Sequence, residues 1–209
     1  MRLGLAVMFV AAVAATAPAD ETAAVVERPR MRQLSSTGPL ESPPSRRDMV
    51  DARRELRARF REPLSHVETA AGALQAAGIL IAASADEDER ALKWLMLDEA
   101  RRLGVAAGDA DFVARAVLLA SAVYDFDALE TELRSLGEIP LRGIDRGRAS
   151  RLALVAETLA TRAETDGRLG LAATAQSLAV RGWQRANNAA QARQAVLRLN
   201  ELEAAGQRR

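Results

Sequence analysis

The residues best suited to chemistry are few. His66 is the single histidine, set in Ser65-His66-Val67-Glu68. A hydroxyl, an imidazole and a carboxylate are the ingredients of nucleophilic catalysis, which needs nucleophile and base within hydrogen-bond reach. Adjacent helical residues point apart, whereas Ser65 and Glu68 have the S-x-x-E spacing of a capping box, in which each side chain satisfies a free amide at a helix start. The pattern predicts a cap and no catalytic His66. With one histidine and no cysteine, the chain has no thiolate nucleophile and too few nitrogen and sulfur ligands for a zinc site.

Paired carboxylates could serve as acid and base. Asp86, Glu87, Asp88 and Glu89 are consecutive, where negative charge favours a helix start, with Asp86 and Glu89 at capping distance. Asp125 and Asp127 flank Phe126 and are read as caps of the helix that follows. A calcium loop requires regularly spaced oxygen ligands around a glycine, and that spacing is missing. Glycine-rich phosphate loops, hydrolase elbows and dinucleotide fingerprints are missing too. The sequence therefore assigns no catalytic, cofactor-binding or metal-binding residue.

Two arginine groups could hold anions. Arg53, Arg54, Arg57, Arg59 and Arg61 give the first helix a basic side, diluted by Asp51, Glu55 and Glu62, with Glu55 and Arg59 at ion-pair spacing. Arg142, Arg146, Arg148 and Arg151 form a second group. Trp94 and Trp183 could line a groove, but both lie among apolar stripes and are expected to fill gaps between helices.

The elements that must position these residues are helical. Alanine makes up roughly a fifth of the chain, favouring helices that approach closely, and β-branched runs of alternating pattern are lacking. Met49, Ala52, Leu56 and Phe60 form the first stripe from Asp48, and Pro63 ends it. Val67, Ala70, Ala71, Leu74, Ala77 and Ile81 form the second, in which Gly72 and Gly78 suit close packing by another helix. Leu92, Leu95, Met96, Ala100, Leu103 and Ala107 form the third. Phe112, Ala116, Leu119 and Ala120 follow Gly108-Asp109, and a shorter helix carries Leu129, Leu133 and Leu136. The stretch Gly137 to Gly143 breaks the pattern and predicts a possible joint at residues 137–144. Three more stripes follow: Leu152 to Ala163, Ala172 to Ala186 and Ala192 to Leu202.

Short connections force neighbouring helices antiparallel. Gly108-Asp109-Ala110 before Ala116-Val117-Leu118 resembles Asn187-Asn188-Ala189 before Ala195-Val196-Leu197, as stacked helix pairs would. The expectation is an all-α fold of antiparallel helix pairs, about eight helices in a tetratricopeptide-like right-handed array, although the strict tetratricopeptide consensus is absent.

The 209 residues, 49% hydrophobic and 27% charged, suffice for one domain with a core. Lys93 is the only lysine, and 29 basic residues against 28 acidic leave a charge of +1. That balance offers no field to gather nucleic acid. At the N-terminus Arg2 precedes an apolar run of about 15 residues, and Ala17-Pro18-Ala19 supplies the small residues of a signal-peptidase site. Residues 1–19 read as a signal peptide cut between Ala19 and Asp20, residues 20–47 as a disordered Pro/Ser-rich linker, 48–205 as the helical domain and 206–209 as a tail. A periplasmic or secreted protein without a transmembrane segment after cleavage is expected.

The stretch from Asp86 to Ala128 carries Lys93-Trp94, Leu97, Glu99-Ala100-Arg101, Leu103, Ala107-Gly108-Asp109 and Tyr124-Asp125-Phe126-Asp127. It resembles an uncharacterised segment of exported proteins from planctomycete-type bacteria. The flanks, from Arg53 to Leu80 and Arg148 to Ala186, fit loosely. The resemblance implies export and a tetratricopeptide-like helical region, transfers no catalytic residue, and with the chain ending at Arg209 no attached module is expected to supply an activity. The expected function is a non-enzymatic scaffold or interaction module whose partner is another exported or envelope protein. The alternatives are a small carboxylate-based enzyme acting on an envelope polysaccharide, and binding of anionic polymer through the arginine-rich faces.

Overall fold

A computed structural model of the chain describes residues 39–208. The signal-peptide reading of residues 1–19, and linker residues 20–38, lie outside the described residues. Nine helices follow one another: α1 (Asp48–Arg59), α2 (Arg61–Leu64), α3 (Ala70–Ala85), α4 (Arg90–Ala107), α5 (Ala110–Ser121), α6 (Ala128–Glu138), α7 (Arg146–Thr165), α8 (Leu169–Arg185) and α9 (Ala189–Gln207). They hold 76% of the described residues, which contain no strand. No described helix is long and apolar enough to cross a membrane.

The expected stripes bury most fully in α1 and α4. On α5 the buried face is Val113, Ala116, Val117 and Ala120, with Phe112 and Leu119 only half-buried, and on α9 Ala195 and Leu202 are buried while Val196 is exposed. Ala52, Leu56 and Phe60 face inward from α1, and Leu92, Leu95, Met96, Ala100, Leu103 and Ala107 from α4. The ninth helix is α2, one turn formed where Pro63 was expected simply to stop the chain. Pro63 is the third residue of α2, where its missing N–H has no intrahelical partner to lose.

Sequential helices pack in adjacent pairs, α3 with α4, α4 with α5, α7 with α8 and α8 with α9. Three of the connections use one turn. Gly108 (φ 70°), Gly167 (φ 73°) and Asn187 (φ 59°) are left-handed. The next residue's N–H reaches back five residues: Asp109 to the Gly104 carbonyl at 2.9 Å, Arg168 to Ala163 at 2.8 Å and Asn188 to Trp183 at 3.0 Å. This six-to-one bond closes a helix end and reverses the chain in the same step. Asp109 and Asn188 then cap the next helix, accepting from the amides of Phe112 and Gln191. The likeness between the Gly108 and Asn187 turns thus has a shared geometry. Its third instance, at Gly167, carries different residues.

Two caps differ from the sequence reading. Thr69, not Ser65, caps α3, its Oγ1 accepting the Gly72 amide at 3.0 Å. Ser65 instead donates backwards to the Glu62 carbonyl at 2.7 Å, closing α2. Glu89, not Asp86, caps α4, accepting from Ala91 and Leu92, while Asp86 closes α3. Neither glycine of α3 meets another helix as expected: at Gly72 the carbonyl of His66, in the turn before α3, takes the place of a side chain. Around Gly78 the space is open.

The break between α6 and α7 is not a division between cores. Leu136, Ile139, Ile144 and Ala149 belong to one cluster with α7 and α8. The second cluster joins α1, α3, α4 and Tyr124. The two meet on α5, whose Ala110 and Val113 serve one cluster and Ala116 and Ala120 the other.

Candidate functional site

A cleft that combines aromatic, aliphatic and charged walls is built from α4, α5 and α6. One stripe of α4 supplies Trp94, Leu97, Asp98 and Arg101, positions three, four and seven apart, which share a helix face. Ala116, Val117 and Ala120 form the floor on α5, Thr131 and Arg134 the wall on α6, and Phe126 and Pro43 the ends. Its volume is about 280 Å³.

Trp94 is held edge-on between two rings, 4.9 Å from Tyr124 and 5.4 Å from Phe126 between centroids. Such edge-to-face pairs place the positive ring edge on a negative ring face. Tyr124 is buried and donates its hydroxyl to the Arg90 carbonyl at 2.7 Å. Burial pushes its pKa up to about 12, with the Glu41 carboxylate adding to the rise and Arg90 opposing it.

Arg101 fixes the cleft's width. Its Nε and Nη2 donate to Asp98 Oδ1 at 3.1 and 2.7 Å, and its Nη1 to Ser135 Oγ on α6 at 2.7 Å. Ser135, fully buried, donates in turn to the Thr131 carbonyl at 2.6 Å. Arg134 is exposed and forms no ion pair within the described residues.

The end of the segment read as a linker takes part. Glu41 donates its N–H to the Val123 carbonyl at 3.0 Å, and its carbonyl accepts from Asp125 at 2.7 Å. Arg90 binds both the Glu41 carboxylate and the Ser42 carbonyl. Residues 39–47 therefore include a strap anchored across α4 and the α5–α6 connection, where the sequence predicted solvated chain throughout.

The other sequence candidates fall elsewhere. His66 is exposed in the turn after α2, and Ser65 is committed to Glu62. Glu87 accepts from Arg59 at 2.6 Å and from the Glu89 amide at 2.9 Å, the amide chief among the contacts holding its carboxyl below the usual range. Asp127 caps α6 through the Glu130 amide and receives both Nη atoms of Arg168, which lower its pKa more than the cap does. Asp125 is exposed and lends only its amide to the strap.

Trp183 is buried, as expected, with Nε1 donating to Glu157 at 2.8 Å. Trp94 is only partly buried and lines the cleft, which the core reading missed. The available signal was that α4 carries apolar residues on a second stripe, Trp94 and Leu97, beside the one facing α3.

Glu132 is the one buried acid among the described residues. Desolvation raises its pKa, opposed by Arg162 at 3.0 Å. No described cleft brings together two buried acids from different helices, and no three His, Asp or Glu residues gather as a metal site.

Of the arginine groups, Arg148 donates to the Ala107 carbonyl at 2.7 Å and Arg151 to Asp111 at 2.5 Å, so half of the second group ties α7 to the α4–α5 turn. Of the first group, Arg54 pairs with Asp51 and Arg59 with Glu87, while Arg53 and Arg57 on α1 and Arg61 on α2 are exposed. Arg59 therefore pairs with the α3–α4 connection, not with Glu55.

Comparison with family models, curated proteins and solved structures returned no match.

Proposed function

We propose that this chain is a non-enzymatic, exported scaffold that binds another exported or envelope protein. The observation that carries the reading is the α4–α5–α6 cleft, an apolar trough with a charged rim. That composition, an aromatic anchor site bordered by arginine, is typical of protein-recognition surfaces. The recurring left-handed turns support the finer reading of tetratricopeptide-like, right-handed stacking, in which helix pairs offer a continuous side surface to a partner. The resemblance to planctomycete-type exported proteins, together with the signal-like N-terminal sequence, supports the address. Buried Glu132 is occupied by Arg162, which favours a structural role for it over an acid–base one.

The test is affinity capture from the exported fraction by the full helical chain, with crosslinking to map the contact. Saturable recovery of one protein crosslinked at the cleft is expected. Repeated recovery of nothing, together with a catalytic activity of the purified chain, would overturn the proposal.

A further inference from the structure

We infer that the α4–α5–α6 cleft receives an extended peptide segment of the partner, inserting one apolar side chain against Trp94 and Phe126 and setting a carboxylate beside Arg134. This deepens the scaffold reading and rests on it.

Volume narrows the occupant first. At about 280 Å³ the cleft lies just below the range of roughly 300–1,000 Å³ that small-molecule pockets occupy. It suits one or two side chains. Lining chemistry narrows it further. The floor of Ala116, Val117 and Ala120 offers no hydrogen-bond group, so the inserted group must be apolar, or it loses its water without recompense. Trp94 is already paired near-perpendicular to both Tyr124 and Phe126, which holds the aromatic wall in place before anything binds.

Charge supplies the third constraint. Asp98, Arg101 and Arg134 are the ionic residues of the lining. Asp98 and Arg101 neutralise each other, and each nitrogen of Arg101 donates to Asp98 or Ser135. Arg134 is left as the net charge. Glu130 and Glu138 lie one turn to either side of it on α6, yet neither forms an ion pair with it in the described residues. A carboxylate from the occupant would complete the rim, where it sets orientation and discrimination more than raw affinity.

The chain's own strap shows the mode. Pro43 lines one end of the cleft, delivered by an extended segment whose backbone is pinned at Glu41 and Ser42. The strap thus holds its backbone on Val123, Asp125 and Arg90 and reaches the cleft at Pro43, which has no N–H to donate there.

The probes are acetylated, amidated Gly/Ser octapeptides with a central Leu-Glu, Leu-Lys or Ala-Glu pair, followed by tryptophan fluorescence of the full helical chain. Trp94→Phe identifies the responding indole. The Leu-Glu peptide should give a saturable change that Trp94→Phe abolishes, with binding at least about tenfold tighter than either counterpart. Arg134→Glu, an exposed substitution, should reverse the order of Leu-Glu and Leu-Lys. Thr131→Trp, which fills the mouth, should abolish binding of all three.

Equal responses to the three peptides, or an unchanged order in Arg134→Glu, would refute the assignment. So would the absence of any response. If peptides fail while partner capture persists undiminished in Arg134→Glu and Thr131→Trp, the cleft proposal falls and the scaffold reading stands. If capture itself fails and the purified chain proves catalytic, the scaffold reading falls.

Discussion

Replacing Gly182 by alanine probes a close crossing of α8 over α7. A methyl group there would sit 2.9 Å from Ala153 Cβ, 3.1 Å from Ala153 Cα and 3.1 Å from the Ala149 carbonyl oxygen. All three atoms belong to α7 and two are backbone, so none can swing aside. Overpacking of this kind costs about 1–3 kcal/mol, against a gain of about 1 kcal/mol from alanine's helix propensity. The net is a loss of about 0–2 kcal/mol. The same substitution at Gly78, with nothing within 4 Å, keeps the gain alone. The two variants should differ by about 1–3 kcal/mol, or roughly 2–12 °C in midpoint for a domain of this size. Urea and thermal unfolding by circular dichroism measure both. Ala153→Gly removes the nearest of the three atoms, so the double variant should show a favourable coupling above about 0.5 kcal/mol with Gly182→Ala. Gly182→Ala as stable as Gly78→Ala, or strict additivity with Ala153→Gly, would refute the geometry.

Thr69→Ala should cost about 1 kcal/mol in urea unfolding through loss of the α3 cap, while Ser65→Ala stays within about 0.5 kcal/mol; equal effects would return the cap to Ser65. Tyr124 ionises near 10 when unfolded and near 12 when folded, so the folded state holds its proton longer. Its stabilising contribution is complete below pH 10 and fades as pH rises through about 12, by on the order of 3 kcal/mol. Comparing alkaline unfolding of wild type and Tyr124→Phe isolates it, and parallel profiles would contradict the burial argument. Glu132 has a folded-state pKa raised by burial, so the folded protein takes up its proton first as pH falls. Wild-type stability relative to Glu132→Gln should therefore rise as pH drops through that window toward the ordinary value of 4.5, and a pH-independent difference would count against it.

The long helices and much of their core faces were legible because a 3.6-residue period can be read without knowing the neighbour, while the short α2 was not. Leu92, Leu95, Met96 and Ala100 had to share a face whatever that face met. Cap positions were less legible. Ser65, Glu68 and Thr69 are all chemically able to close a turn, and the choice of Thr69 depended on the extra turn α2 formed around Pro63. The Gly167 turn shares its backbone with those at Gly108 and Asn187 but not its residues, since the motif asks only for a left-handed residue and a carbonyl five positions back.

Composition and periodicity by themselves determined an all-helical chain of short connections with no cysteine chemistry. The tertiary structure alone decided that α5 is shared between two cores, that the strap at Glu41 is pinned, and that Trp94 lines a cleft while Trp183 is buried. The reason is physical. A stripe states which residues leave water, but whether a second stripe such as Trp94, Leu97 and Arg101 is covered, paired or left open depends on helices far away in the chain.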